Sequence, residues 1–199
     1  MIKNILISGV GGQGVITAGR IISEAAVSSG INVVMSELHG LSQRGGSVSV
    51  DLRMGDVHGP IIPDGDVDVI MGFEPIEAIR AISRAGNRTI VIMNSEKITP
   101  ISLSMHRMEY PDEEKLKEIS GKNVKIMKIN GVMIAKKAGN YKAVNSVMIG
   151  ATLGLDIIPV TMESVKSVMK GIFSGNILQE NLKAIDLGRE EIMEQEAWN

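Results

Sequence analysis

The apolar positions of this chain change period along its length, and each change marks an element. Asn4 to Ser8 (NILIS) is an apolar, β-favouring run and predicts a strand. It breaks into four glycines within six positions, Gly9, Gly11, Gly12 and Gly14. Val15, Ile16, Ala18, Ile21, Ile22, Ala25 and Ala26 then recur at helical spacing. This stretch reads as a strand, a tight glycine turn and a helix whose N-terminus faces the turn. Ile31 to Ser36 reads as a second strand, buried on both faces as parallel strands usually are. Glu37 to Gly46 has no helical period and holds three glycines, so it reads as a loop. Ser47 to Arg53 alternates, with Val48, Val50 and Leu52 on one face and Ser47, Ser49, Asp51 and Arg53 on the other. Val57 to Ile62 is expected to return beside it as a hairpin.

Pro63 to Asp66 has the residue chemistry of a turn, and Val67 to Met71 is a short buried strand. Glu74-Pro75 opens a helix lined by Ile76, Ile79 and Ile82 and ended by Gly86-Asn87. Thr89 to Met93 is another apolar strand. Asn94 to Pro111 is irregular, Asp112 to Ser120 is a short helix with acids in its first turn, and Val124 to Ile129 alternates as a strand. Three helices follow, over Val132 to Ala138, over Ser146 to Leu155 with its small residues, and along the stripe Val165, Val168, Met169, Ile172. Ile177 to Glu194 makes a last one, with Leu178, Leu182, Ile185 and Ile192 inward. The predicted fold is α/β: a single Rossmann-like domain over residues 1–199, with a largely parallel sheet, a β-hairpin insertion and C-terminal helices.

Composition narrows the chemistry. A chain of 199 residues, 44% hydrophobic, is long enough for one sizeable core. A net charge of −2 with both signs interspersed gives no footprint for nucleic acid or an anionic membrane. There is no cysteine, so this chain has no disulfide, thiol nucleophile, cysteine zinc site or cysteine-held iron–sulfur cluster. No apolar run approaches the roughly 20 residues of a membrane helix, and MIKNILISG reads as a strand rather than a signal peptide. A cytoplasmic location is the expectation. The 13 methionines, against five aromatic residues, read mostly as core filling.

The candidate chemistry gathers in two bends. Glycine reaches positive φ cheaply and has no Cβ to hold a ligand off the backbone. The unpaired first N–H groups of the following helix, with its macrodipole, suit an anion such as a phosphate. Gly9, Gly11 and Gly14 spell G-x-G-x-x-G, and Glu37 lies about 20 residues on, where a dinucleotide fold puts a ribose-binding acid. The same glycines could equally serve only to close a βα turn. The second bend offers Glu37, His39, Gln43 and Arg44, with Gly45 and Gly46, at the same carboxyl edge of the sheet. Arg44 could bind a phosphate or carboxylate in bidentate fashion, and His39 could move a proton or hydrogen-bond. Glu37 and Arg44 could instead pair with each other, or the loop could meet another subunit. Asp64, Asp66 and Asp68 are spaced like calcium ligands, but Val69 stands where such a loop needs glycine. His39, His58 and His106 are too scattered for a zinc motif.

Three ordered motifs carry a resemblance: Gly9-Val10-Gly11-Gly12-Gln13-Gly14-Val15; Glu37-Leu38-His39-Gly40 with Gln43-Arg44-Gly45-Gly46; and Phe73-Glu74-Pro75 with Glu77-Ala78. Together they resemble the gamma-type domain of 2-oxoacid:ferredoxin oxidoreductases, and the His-Gly-x-x-Gln-Arg-Gly-Gly form is most similar to that of the indolepyruvate-type enzymes. The resemblance extends over nearly the whole chain, to Asn145-Ser146 and Gly150-Ala151. It implies oxidative decarboxylation of an aryl pyruvate, with coenzyme A as acyl acceptor and ferredoxin as electron acceptor. It further implies that thiamine diphosphate and iron–sulfur clusters sit on a larger partner subunit. This chain has no cysteine, and Asp64-Gly65-Asp66 lacks the residue order of a thiamine diphosphate motif. On this reading the chain holds no cofactor alone, coenzyme A is the candidate ligand of the two bends, and ferredoxin is met through the complex. The alternatives are a subunit of a pyruvate- or 2-oxoglutarate-type enzyme, a stand-alone nucleotide-binding enzyme using Gly9, Gly11, Gly14 and Glu37, and an assembly module without a ligand.

Overall fold

The computed structural model describes residues 1–40, 46–98, 110, 118 and 124–197. The strands are β1 (Lys3–Val10), β2 (Val33–His39), β3 (Ser47–Met54), β4 (Val67–Gly72), β5 (Ala85–Asn94) and β6 (Lys125–Ile129). They form one sheet in the order β2-β3-β1-β4-β5-β6. The β1–β4, β4–β5 and β5–β6 pairings are parallel, while β3 is antiparallel to both its neighbours. The helices are α1 (Val15–Ser28), α2 (Pro75–Ile82), α3 (Gly131–Ala138), α4 (Val144–Gly154), α5 (Met162–Ile172) and α6 (Gly175–Ala197). The helix expected over Asp112 to Ser120 and the terminal Trp198 lie outside the described residues.

Strand alternation divides the core between two faces. Ile5 and Ile7 of β1 join a cluster with α1, α3, α4, α5 and α6, whereas Leu6 joins one with Ile76, Ile79 and Ile82 of α2. Both faces of β1, β4 and β5 are covered, which is why their sequences are richly apolar, whereas the edge strand β6 alternates. On the first face α4 and α6 meet at backbone contact. A Cβ on Gly150 would lie 1.9 Å from the Ile185 carbonyl oxygen, and one on Gly188 would lie 2.1 Å from that of Val147. The small residues of the Ser146–Leu155 stretch therefore close the helix pair, as its composition suggested.

Three expectations are corrected. The second strand is not buried on both faces: it is the sheet edge, with Val33 to Ser36 half-buried and Glu37 to His39 exposed. Nor does Val57 to Ile62 pair with β3. The hairpin partner is β2, in register from Val33↔Met54 to His39↔Val48, and β3's other edge is taken by β1. Alternation fixes which face a residue occupies, not which strand lies beside it. Pro60, within the excluded segment, and Pro63, directly after it, cannot donate to a ladder. Gly86 does not end a helix but lies inside β5, where its Cβ position falls 1.9 Å from the Gly65 carbonyl oxygen.

Candidate functional site

The carboxyl ends of β1, β4 and β5 share one rim of the sheet, and both bends lie there. Gly14 is the N-cap of α1 at φ 83°, and Gly12 has φ 100° with no atom within 4 Å of a Cβ built on it. These left-handed positions turn the chain sharply from strand into helix while leaving Gly12 open. No side chain caps α1, and its first turn carries no acidic residue. The positive end of the helix dipole thus meets no protein carboxylate from its own first turn. Gly9 is needed for packing: a Cβ there would lie 2.7 Å from Val15 Cγ2 and 2.9 Å from Phe73 Cβ.

Gln13 braces the turn. Val10 N donates to its Oε1 at 2.7 Å, and its Nε2 donates to the Phe73 carbonyl at 3.0 Å. That carbonyl also accepts from Asn94 Nδ2 at 3.0 Å, while Asn94 Oδ1 accepts from Gly131 N at 3.0 Å. Two amide side chains therefore tie the ends of β1, β4 and β5 to the start of α3.

The second bend is bonded to the first. Gly11 N donates to the Gly46 carbonyl at 2.9 Å, and Gly40 N donates to the Ser47 carbonyl at 2.9 Å. His39 lines a cleft of about 370 Å³ together with Gly11, Gly12, Gly14, Thr17 and Val48. Its Nε2 lies 3.9 Å from Glu37 Oε2. Gln43, Arg44 and Gly45 lie outside the described residues, as does the expected Glu37–Arg44 pairing. Glu37 stands on β2, with β3 between it and β1, so two strand spacings (about 10 Å) separate it laterally from the glycine strand. In a dinucleotide fold the acid-bearing strand adjoins the first.

Other residues at the rim escaped the sequence reading. A second cleft, of about 540 Å³, opens on the far side of Gly12 and Gln13, lined by Asn94, Glu96, Ile98, Val132, Tyr141 and Lys142. Nothing in the sequence pointed to it: Asn94, where the apolar run of β5 ends, reads as water-facing but is buried. Under the rim, Glu74 is fully buried and caps α2, accepting from Ile76 N at 2.8 Å and Glu77 N at 3.2 Å and from the Tyr110 hydroxyl. Burial holds its carboxyl above the usual range, with the Tyr110 bond and the α2 amides pulling it back. The Tyr110 hydroxyl is in turn raised by burial and by Glu74. Ala78 follows the same motif because α2 leans on Gly72, whose Cβ position is 2.3 Å from Ala78 Cβ. Asp64 and Asp68 part company, the first facing Arg84 Nε at 3.5 Å and the second accepting from Lys3 Nζ at 3.1 Å.

Comparison with known proteins fits this geometry. Residues 4–191 match the family model described as pyruvate ferredoxin/flavodoxin oxidoreductase. The chain is 42% identical over 182 residues to the indolepyruvate oxidoreductase subunit IorB of Methanothermobacter thermautotrophicus, covering 91% of this chain and 93% of that one. The fold is that of the keto/oxoacid ferredoxin oxidoreductase gamma subunit from Geobacter sulfurreducens PCA (TM-score 0.71, 23% identity, 96% of this chain and 99% of that one). It also matches part of the 2-oxoglutarate:ferredoxin oxidoreductase from Magnetococcus marinus, solved with 2-oxoglutarate, coenzyme A and succinyl-CoA bound (TM-score 0.75, 20% identity, 96% of this chain and 31% of that one). No helix among the described residues is long and apolar enough to cross a membrane.

Proposed function

The chain belongs to the pyruvate ferredoxin/flavodoxin oxidoreductase family, and from that premise we propose that it is the accessory subunit of a complex that oxidatively decarboxylates aryl pyruvates, indolepyruvate first among them. The acyl group passes to coenzyme A, carbon dioxide leaves, and the electron pair goes to ferredoxin. Thiamine diphosphate and the iron–sulfur clusters supply that chemistry from a larger partner subunit, since a chain without cysteine cannot hold the clusters. The chain acts as one domain over residues 1–199, works in the cytoplasm, and does not turn over substrate alone.

Within the complex, the chain's task is to hold coenzyme A phosphates at the joined bends. The Gly11 N to Gly46 carbonyl bond carries this reading, because it joins the end of the Arg44-Gly45-Gly46 motif to the turn before an uncapped helix N-terminus. The donor set fits an anion: helix amides, open space at Gly12, and no acid in the first turn. Gly11, Gly12 and Gly14 present backbone, Gln13 keeps the turn in shape, and His39 faces the same cleft. Glu37 and Gly46 belong to the edge that the partner covers, and Gln43 and Gly45 are assigned to the same role by their place in the motif. The stand-alone dinucleotide enzyme is disfavoured by the strand inserted between Glu37 and β1.

Reconstitution tests it. The chain is expected to co-purify with a thiamine-binding, cysteine-rich subunit. Arg44→Ala should raise the KM for coenzyme A by about tenfold or more, as loss of one charge-assisted phosphate contact would. An unchanged KM would remove Arg44 from the site, and turnover by the isolated chain would remove the accessory role.

A further inference from the structure

Glu77 is buried to 4% exposure, although it sits in the first turn of a helix that already has a cap. An acid at the third position of a helix commonly reaches back to the N-cap amide. Glu77 reaches outward instead. Its Oε2 accepts from Ser47 Oγ at 2.6 Å, and its Oε1 takes Arg80 Nη1 at 2.7 Å. Arg80 is 61% exposed, so its pairing is solvated, while the bond to Ser47 is shielded on the Glu77 side only.

Ser47 is the first residue of β3 and lies opposite Val10, the last residue of β1. Its neighbour Gly46 supplies the carbonyl that takes Gly11 N. A continuous line thus runs from α2 through Glu77, Ser47 and Gly46 to the glycine turn. At the other end of the loop, Gly40 N is bonded to the carbonyl of the same Ser47. Both loop stems therefore converge on the residue that Glu77 holds.

We infer that Glu77 is a positioning residue: through Ser47 it holds Gly46 on the glycine turn and Gly40 beside it. Its consequence for coenzyme A rests on the function proposed above; the seating itself does not. A buried carboxylate accepting a short serine bond is a stiffer anchor than a solvated one, because leaving that acceptor unsatisfied is costly.

The test uses the assembled complex, with amide exchange read by mass spectrometry on the peptide containing Gly11 and with steady-state kinetics. Ser47→Ala and Glu77→Ala should each speed exchange at that peptide by about tenfold, the factor that corresponds to about 1.4 kcal/mol of local opening. Glu77→Gln, which still offers an oxygen to Ser47, should restore exchange to near wild type, and Arg80→Ala should leave it unchanged. If the coenzyme A reading holds, the first two variants also raise the KM for coenzyme A with kcat kept within about twofold. Faster exchange with an unchanged KM keeps the seating role and refutes the coenzyme A reading. Unchanged exchange in Ser47→Ala, or an Arg80→Ala effect as large as that of Glu77→Ala, overturns the inference.

Discussion

A second tie, from β3 to the turn between α2 and β5, yields the sharpest stability prediction. Asp51 is fully buried on β3. Its carboxylate accepts from Arg84 Nη1 and Nη2 at 2.7 Å each and from Ile62 N at 2.9 Å. Arg84 also donates to the Ile62 carbonyl at 2.7 Å, and its side chain keeps 21% exposure. Removing one member of a buried ion pair costs about 3–5 kcal/mol, because the other charge stays behind unpaired. Asp51→Ala belongs at the lower end, about 3 kcal/mol, since the partly exposed guanidinium keeps the Ile62 carbonyl and Asp64. Arg84→Met belongs at the upper end, about 5 kcal/mol, since it strands a carboxylate with no exposure. For a chain of this size, 1 kcal/mol moves Tm by about 2–4 °C, so the expected losses are about 6–12 °C and 10–20 °C. Urea denaturation of the two single variants and of Asp51→Ala/Arg84→Met is the assay. The double variant, with no stranded charge, should be more stable than Arg84→Met alone. Additive losses, or single losses below about 1 kcal/mol, would show that the pair behaves as a surface bridge and would refute the reasoning.

Gly150→Ala should cost about 3 kcal/mol or more by forcing α4 off α6. Gly171→Ala, on α5 with nothing within 4 Å of its Cβ position, should stabilise by about 0.4–1 kcal/mol. Thermal melts of the pair give opposite signs, or the contact reading is wrong. Glu74→Gln probes the raised carboxyl. Because the folded value lies above the ordinary one of about 4.3, the folded state binds the extra proton, so Glu74's contribution is complete below that value and is lost as pH rises through the folded one. Denaturation across pH 4 to 8 should show wild-type stability falling relative to Glu74→Gln as pH rises; parallel curves would remove Glu74 as the cause.

The succession of strands and helices was legible because the inner parallel strands are covered on both faces and the helices carry apolar stripes, α4 excepted, which is buried nearly all round. The neighbour of β3 was not, since alternation is the same whichever strand lies alongside. Asp51 read as a member of β3's polar face, and only its partners Arg84 and Ile62 make that one position interior. At the rim, the glycine turn and the following loop announced themselves by composition, and their meeting at one edge is seen in the Gly11–Gly46 bond. Asn94 and Glu77 did not, because a strand's last polar residue and a helix's early acid ordinarily read as water-facing. Their burial depends on contacts 37 and 30 residues away in the chain.

The amide brace has a consequence for where a ligand can enter. In open α/β sheets the natural mouth is the topological switch point, here between the ends of β1 and β4, from which the chain departs in opposite directions. Gln13, bonded across to Phe73, stitches that mouth shut and divides the approach into two separate vestibules, one walled by His39 and the other by Tyr141. A long, flexible molecule lying over this rim must therefore straddle the Gly12–Gln13 ridge rather than plunge between the strands, and shortening Gln13 would merge the two chambers into one.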